Sequence, residues 1–361
     1  MTGRRKALTT ATASFLALAA FAAGCGGRGS SAGHVGHATA PRRGGLHAAT
    51  QDPVLARLGL PPLRGGSSPL PGYLMIADRD NNRILIVNPR KRVVWRFPTP
   101  GALPGGLQFA GPDDAFVSAN HRDIITNEEF SDTIAVISLA AHPRVVWQYG
   151  HQGVQGSGPG FLAHPDDAYL LPNGTVQVAD IINCRVLWLN KAKRIVRSLG
   201  TSGDCAHDPP RAMLQPNGDT PLPDGGVLVT EIGGWIDRFS RTGRLEWSIK
   251  APTGYPSDAQ LLPDGNVLVA GFNTPGRIDI LTPRGRIVWT YGPPSGPGAL
   301  DRPSLAVALP NGTIAATDDW HHRVVVIDRA TRRIVWQYGH DEVPGTAPGY
   351  LRKPDGLDLL P

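Results

Sequence analysis

Acidic residues are missing from the first 50 positions of this 361-residue chain, although Arg4, Arg5, Lys6, Arg28, Arg42 and Arg43 are there. Those six of the 36 basic side chains account for the formal charge of +6, and the rest of the chain balances 30 basic against 30 acidic groups. A body that is neutral by this measure has no electrostatic footprint for a polyanion, which excludes nucleic acid as a partner. Cysteine is scarce as well, with only Cys25, Cys184 and Cys205, so no Cys-rich metal module can be built. There is no Gly-x-Ser-x-Gly elbow, no phosphate-binding glycine loop ending in Lys-Ser or Lys-Thr, and no His-x-x-x-His pair. The apolar run Ala13 to Ala23 is too short for a confident membrane span, and no long helical period follows it.

The N-terminus reads as an export signal: a basic start, the apolar run, then Ala22-Ala23-Gly24-Cys25. Small residues before a cysteine at that place resemble a bacterial lipoprotein signal, with Cys25 as the lipidated first residue. An ordinary cleaved secretory peptide with an incidental cysteine is the alternative. Residues 1–24 are assigned to the signal and 25–71, rich in Gly, Ser, Ala, His and Arg, to a flexible tether. The expected location is outside the cytoplasm, anchored through lipid on the outer face of the cytoplasmic membrane, and the expected state is a monomer.

What the chain does have is Gly (44), Pro (34) and a repeat. Arg92-Val93-Val94-Trp95, Arg144-Val145-Val146-Trp147, Arg194-Ile195-Val196-Arg197, Arg244-Leu245-Glu246-Trp247, Arg286-Ile287-Val288-Trp289 and Arg333-Ile334-Val335-Trp336 recur 42 to 52 residues apart. A second phrase, as in Leu171-Pro172-Asn173-Gly174 and Leu222-Pro223-Asp224-Gly225, marks tight hairpins between apolar alternations. Each unit reads as four short antiparallel strands, and six such units predict an all-β, six-bladed β-propeller over residues 72–361. The first unit opens at Gly72 with what aligns as a second strand, whereas the chain ends on Lys353-Pro354-Asp355-Gly356-Leu357, which aligns as a first strand. The C-terminal strand should therefore complete blade one and leave no open edge.

Ala77-Asp78-Arg79-Asp80-Asn81-Asn82-Arg83, Ala179-Asp180-Ile181-Ile182-Asn183-Cys184-Arg185 and Thr317-Asp318-Asp319-Trp320-His321-His322-Arg323 resemble the NHL repeat, a six-bladed propeller family. The likeness spans residues 72–361 as architecture; its Asp-to-Arg spacing holds in blades one, three and six, whereas blade four has Glu231 and no such arginine. Those pairs read as braces of the turn. The Val-Val-Trp-Gln-Tyr phrase is also similar to repeats of arylsulfotransferases and pyrroloquinoline quinone proteins.

Where each first strand begins, a proline and a polar group face the central channel. Asp113, Asp166, Asn217, Ser257, Ser304 and Asp355 then form either a collar for a hard cation such as Ca²⁺, with Asp113, Asp166 and Asp355 as the charged ligands, or a set of local turn caps. Residues that break the repeat mark the candidate ligand site at the mouth of blades three, four and six: His164 with Asp166 and Asp167, His207 in the insertion between blades three and four, Tyr255, Asp258, Arg302, Asp318, Trp320 and His321. Convergence of His164, His207 and His321 would suit zinc, as resemblance to propeller lyases suggests. Cys184 and Cys205, both on that face, are expected to form a disulfide. Two functions remain open: a tethered scaffold binding a small-molecule or protein ligand, or an extracytoplasmic enzyme, either a metal-dependent lyase or hydrolase or an arylsulfotransferase-like transferase.

Overall fold

The computed structural model describes residues 53–63 and 68–360; the signal segment, Cys25 and most of the tether lie outside them. Six sheets of four antiparallel strands form the all-β propeller that the repeat predicts. The innermost strands are Pro354–Leu360, Pro112–Val117, Pro165–Leu170, Pro216–Pro221, Pro256–Leu261 and Ala306–Ala308 for blades one to six. Pro354–Leu360 pairs with Tyr73–Asp78, so the C-terminal strand completes blade one as expected.

The recurring phrase has a mechanical reason in this ring. Trp95 donates its indole N–H to Ala140 O, Trp147 to Lys191 O, Trp289 to Arg329 O and Trp336 to Pro89 O, at 3.0 to 3.3 Å. Each bond runs from an outermost strand to the next blade's outer turn, and the last of them joins blade six to blade one. In blade three Arg197 stands in for tryptophan and donates to Arg241 O at 3.0 Å, preserving the same staple. Between blades, apolar faces pack in clusters such as Leu268, Ile278 and Ile280 against Ile314 and Val325.

The packed body begins earlier than the sequence suggests. Pro53–Arg57 is a short helix, and Val54 and Leu55 are buried with Tyr73, Met75 and Phe97 in the core shared by blades one and two. Tyr73 also donates its hydroxyl to Pro61 O at 2.9 Å. Residues 53–63 thus belong with the propeller instead of the tether, because burying the apolar patch of Val54 and Leu55 offsets the cost of ordering so short a segment.

All six first strands start, and all six second strands end, on one face, here called the upper. The register slips just after the leading proline in blades two to five, between Pro112 and Ala115, Pro165 and Ala168, Pro216 and Asp219, and Pro256 and Ala259, and at the matching place in blade one. Such a bulge turns two consecutive residues out of the regular alternation. It brings Asp113 with Asp114, and Asp166 with Asp167, into the axial channel.

Candidate functional site

The channel holds a buried column of acids. Asp113, Asp114, Asp166, Asp167, Asp219, Asp319 and Asp355 are all at or below 6% exposure. Arg79 is the cation set among them: it donates to Asp113 Oδ1 at 2.9 Å and forms an ion pair with Asp355. Burial opposes the charge on Arg79, but Asp355 and Asp113 outweigh it and raise its pKa. Burial, reinforced by neighbouring carboxylates, drives Asp114, Asp166 and Asp167 well above the usual carboxylate range. Asp355 is pushed by burial up to about 7 in spite of Arg79.

The collar expected from the sequence is present as a ring, and its members are bound both across blades and within them. Arg79 bridges Asp113 and Asp355. Asn217 donates to Ser257 O at 3.0 Å in the next blade and accepts from the Tyr255 hydroxyl at 2.7 Å. Ser304 Oγ donates to Asp319 Oδ2 at 2.5 Å. The carboxylates that do converge closely enough to share an ion are two other sets, Asp113 with Asp114 and Asp355, and Asp114 with Asp166 and Asp167.

Above the acids lies a rim of rings and charges. Trp320, 40% exposed, lies between the Arg302 guanidinium at 4.2 Å and the Lys353 ammonium at 4.4 Å. Arg302 also stands 5.9 Å from the Phe272 ring. His164 sits edge-on to the exposed Phe130, with Nδ1 3.5 Å from Glu129 Oε1. The Glu129 contact raises the His164 pKa against the effect of its partial burial. Tyr255 lies over the channel, where burial and the charges of Asp166, Glu129 and Asp113 push its phenol up.

Of the residues singled out in the sequence, His164, Tyr255, Arg302 and Trp320 are at this mouth, and Asp166 lies directly below it. Asp167 and Asp258 sit in the channel wall: Asp167 Oδ2 accepts from Asp219 N at 3.3 Å, and Asp258 Oδ1 accepts from Thr220 Oγ1 at 3.0 Å. Asp318 is fully buried and braces Arg323, while His321 leans on Asp318 at 3.1 Å. His207 is held by Glu231 at 2.8 Å. The three histidines thus go to three different carboxylates, and among the described residues no metal-capable group contains two of them. The zinc triad does not form, because each histidine is fixed by a carboxylate of a different blade, Glu129 in blade two, Glu231 in blade four and Asp318 in blade six. Cys184 and Cys205 do form the expected disulfide, with Cα atoms 5.2 Å apart.

Arg79, Glu129 and Asp319 were missed. They share one place in the repeat, the first residue after the second strand, where blades three to five carry Ile181, Ile232 and Phe272. The exchange of apolar for charged residues at that place was the available signal. A cleft of about 810 Å³ on the lower face, lined by Phe116, Tyr169, Leu170, Trp188, Pro221 and Arg241, also had no sequence marker. Its lining is mostly apolar, with Arg197 and Arg241 at its edge.

No protein-family model matches the chain, and no curated protein sequence matches it. Solved structures do. A protein of unknown function from Bacteroides caccae is 18% identical, with a TM-score of 0.57 over 79% of this chain and 97% of that one. A streptogramin B lyase structure is 20% identical, with a TM-score of 0.50 over 79% and 83%. A functionally unknown protein from Desulfotomaculum acetoxidans is 15% identical, with a TM-score of 0.47 over 79% and 84%. At these identities the first two likenesses show the propeller fold alone, and function has to be argued from the site.

Proposed function

We propose that this chain is an exported, lipid-anchored propeller that binds a small-molecule or protein ligand at the upper mouth of its channel. The observation that supports the reading is a backbone one. The residue before the leading proline is in the left-handed region in five blades: Gly111 (φ 63), His164 (φ 50), Gln215 (φ 50), Arg302 (φ 52) and Lys353 (φ 44). That conformation costs a non-glycine residue roughly 1–2 kcal/mol. Glycine meets the requirement without a steric cost, as Gly111 does, yet the other four positions keep side chains that differ from blade to blade. A ring of strained, dissimilar side chains around a channel is what ligand recognition needs and what symmetric packing does not.

The test is substitution by glycine of His164, Arg302 and Lys353, singly and together. Relief of strain should leave the melting temperature unchanged or higher, while ligands found in a thermal-shift screen of the wild-type protein lose affinity. A fall in stability with binding intact would refute the reading. Lipid anchoring is tested separately by labelled-palmitate incorporation, which Cys25→Ser should abolish; the anchor and the NHL-like ancestry both rest on sequence.

A second reading, an extracytoplasmic enzyme, rests on the His164–Glu129 pair at the mouth, an arrangement suited to moving a proton. Turnover lost in His164→Gln with ligand affinity retained would favour it.

A further inference from the structure

Blade four departs from the charge plan of its neighbours. In blades one, three and six the second strand ends in aspartate and the third begins with arginine directly across the ladder: Asp78 with Arg83, Asp180 with Arg185, Asp318 with Arg323. Nε of each arginine donates to Oδ2 of its partner at 2.6 to 2.8 Å. Blade five moves the acid two residues on, and Arg277 pairs with Asp279 at 2.6 Å. Every one of these carboxylates has its own guanidinium.

Blade four fills both acid positions and lacks the cation. Glu231 ends the second strand, Asp237 takes the register of Asp279, and Trp235 stands across from Glu231 where the arginine would be. Both acids have no exposure. Glu231 Oε1 and both carboxylate oxygens of Asp237 have no hydrogen-bond partner, a costly state for buried charge. The Lys250 ammonium is turned away, onto Gly233 O and the Trp235 face, 4.3 Å from the ring.

A histidine is brought in from outside the repeat to this pocket. His207 lies two residues beyond Cys205, in the insertion pinned by the disulfide. Its Nδ1 is 2.8 Å from Glu231 Oε2 and 3.8 Å from Asp237 Oδ2. Its Nε2 is 3.3 Å from Ser248 Oγ, and its ring stacks on Trp235 with centroids 4.0 Å apart. Without a metal the 2.8 Å contact needs a proton between Nδ1 and Glu231; with Nε2–H given to Ser248 instead, Nδ1 would turn its lone pair to an ion held between the two carboxylates.

We propose that His207, Glu231 and Asp237 bind one divalent transition-metal ion of the zinc type, at a site that uses none of the channel carboxylates. The three ligand atoms lie within 4.8 Å of one another. Bonds of about 2.0–2.2 Å to a tetrahedral ion need ligand separations of roughly 3.4 Å, which small side-chain movements supply. The set is one nitrogen and two carboxylates, and of the three side chains only His207, 17% exposed, reaches solvent. Calcium, which takes six to eight oxygens, is poorly served by it. Ser248 on Nε2 is the orienting partner that metal-bound histidines commonly have.

The experiment uses the full-length, oxidised protein stripped with a chelator. Titration with zinc chloride by calorimetry should give one ion per chain, and cobalt chloride should give the visible absorption bands of tetrahedral Co²⁺, displaced by zinc. His207→Ala should remove the bands. Trp235→Arg, which restores the arginine of blades one, three, five and six, should also remove them while melting no lower than the metal-free wild type, so loss of binding is separated from loss of fold. Asp113→Asn with Asp355→Asn should leave the zinc stoichiometry unchanged, separating this site from the channel mouth. Absence of zinc binding by the wild type overturns the proposal. So do bands that persist in both His207→Ala and Trp235→Arg, as binding by His34, His37 and His47 would give.

Discussion

Arg323 donates through Nε to Asp318 Oδ2 at 2.7 Å, with the arginine side chain 2% exposed and the aspartate not at all. The same guanidinium also donates to Ala299 O at 3.0 Å, so the pair ties a blade to the loop that enters it. Removing Arg323 leaves Asp318 buried with only His321 and the Asp301 N–H as partners; breaking a buried pair typically costs about 3–5 kcal/mol. Arg323→Met should therefore lower unfolding free energy by roughly that amount in urea titration. The double change Arg323→Met with Asp318→Asn should recover part of the loss. Equal effects of single and double variants would mean that the carboxylate is not the partner that matters.

Truncation after Arg352 removes the strand Pro354–Leu360 and with it Leu357 and Leu360, at 0% and 2% exposure. Those two side chains alone are worth about 4 kcal/mol of apolar burial, and the ladder of blade one is left with an open edge. The truncated protein should melt far below the full chain and aggregate at concentrations where the full chain is monodisperse by light scattering.

Replacing Cys184 and Cys205 by alanine releases a crosslink between residues 21 positions apart. The chain-entropy estimate for a loop of that size is about 3 kcal/mol. Denaturant titration should show that loss, and the metal-binding calorimetry should weaken in parallel, since the loop that carries His207 is no longer pinned. Unchanged stability under strong reductant would argue against the crosslink.

Glu128, 1% exposed, has its carboxyl pushed by burial up to about 7 from the usual 4.5. The folded state then keeps a proton that the unfolded chain has released, so the stability tied to this group is whole below the unfolded value and is lost as pH rises through about 7. The full swing is about 3 kcal/mol. Glu128→Gln keeps an oxygen for Ala110 N, which Glu128 Oε2 accepts at 2.8 Å. The variant should lose less stability than the wild type between pH 5 and pH 8.5, measured by chemical denaturation at both. An identical pH dependence in the two proteins would place the proton elsewhere.

The propeller was legible because its physics is local and repeated. A four-stranded blade needs its alternating apolar strands and Asn-Gly or Asp-Gly turns wherever it occurs, and the end that completes blade one shows in a missing first strand. The cysteine pair could be read because the insertion and the blade-three turn share a face. The mouth was only half legible. Arg79 finds Asp113 34 residues away and Asp355 276 residues away, and no spacing rule connects them. His207 was marked by its place outside the repeat, but the acids it meets looked like ordinary strand residues. Glu231 and Asp237 become unusual only when the missing arginine of blade four is set against the ladders of the other blades.

The strand that closes blade one also sets an order of events. Tyr73 and Leu360 are neighbours across that ladder, yet nearly the whole propeller lies between them in the chain. Blades two to six can each pair their strands from adjacent hairpins as they are made. Blade one cannot, because the rest of the propeller separates its inner strand from its second strand in the chain. Closing so large a loop is the slow kind of step. Until it happens, the edge of Tyr73–Asp78 that Pro354–Leu360 covers in the closed ring stays unpaired.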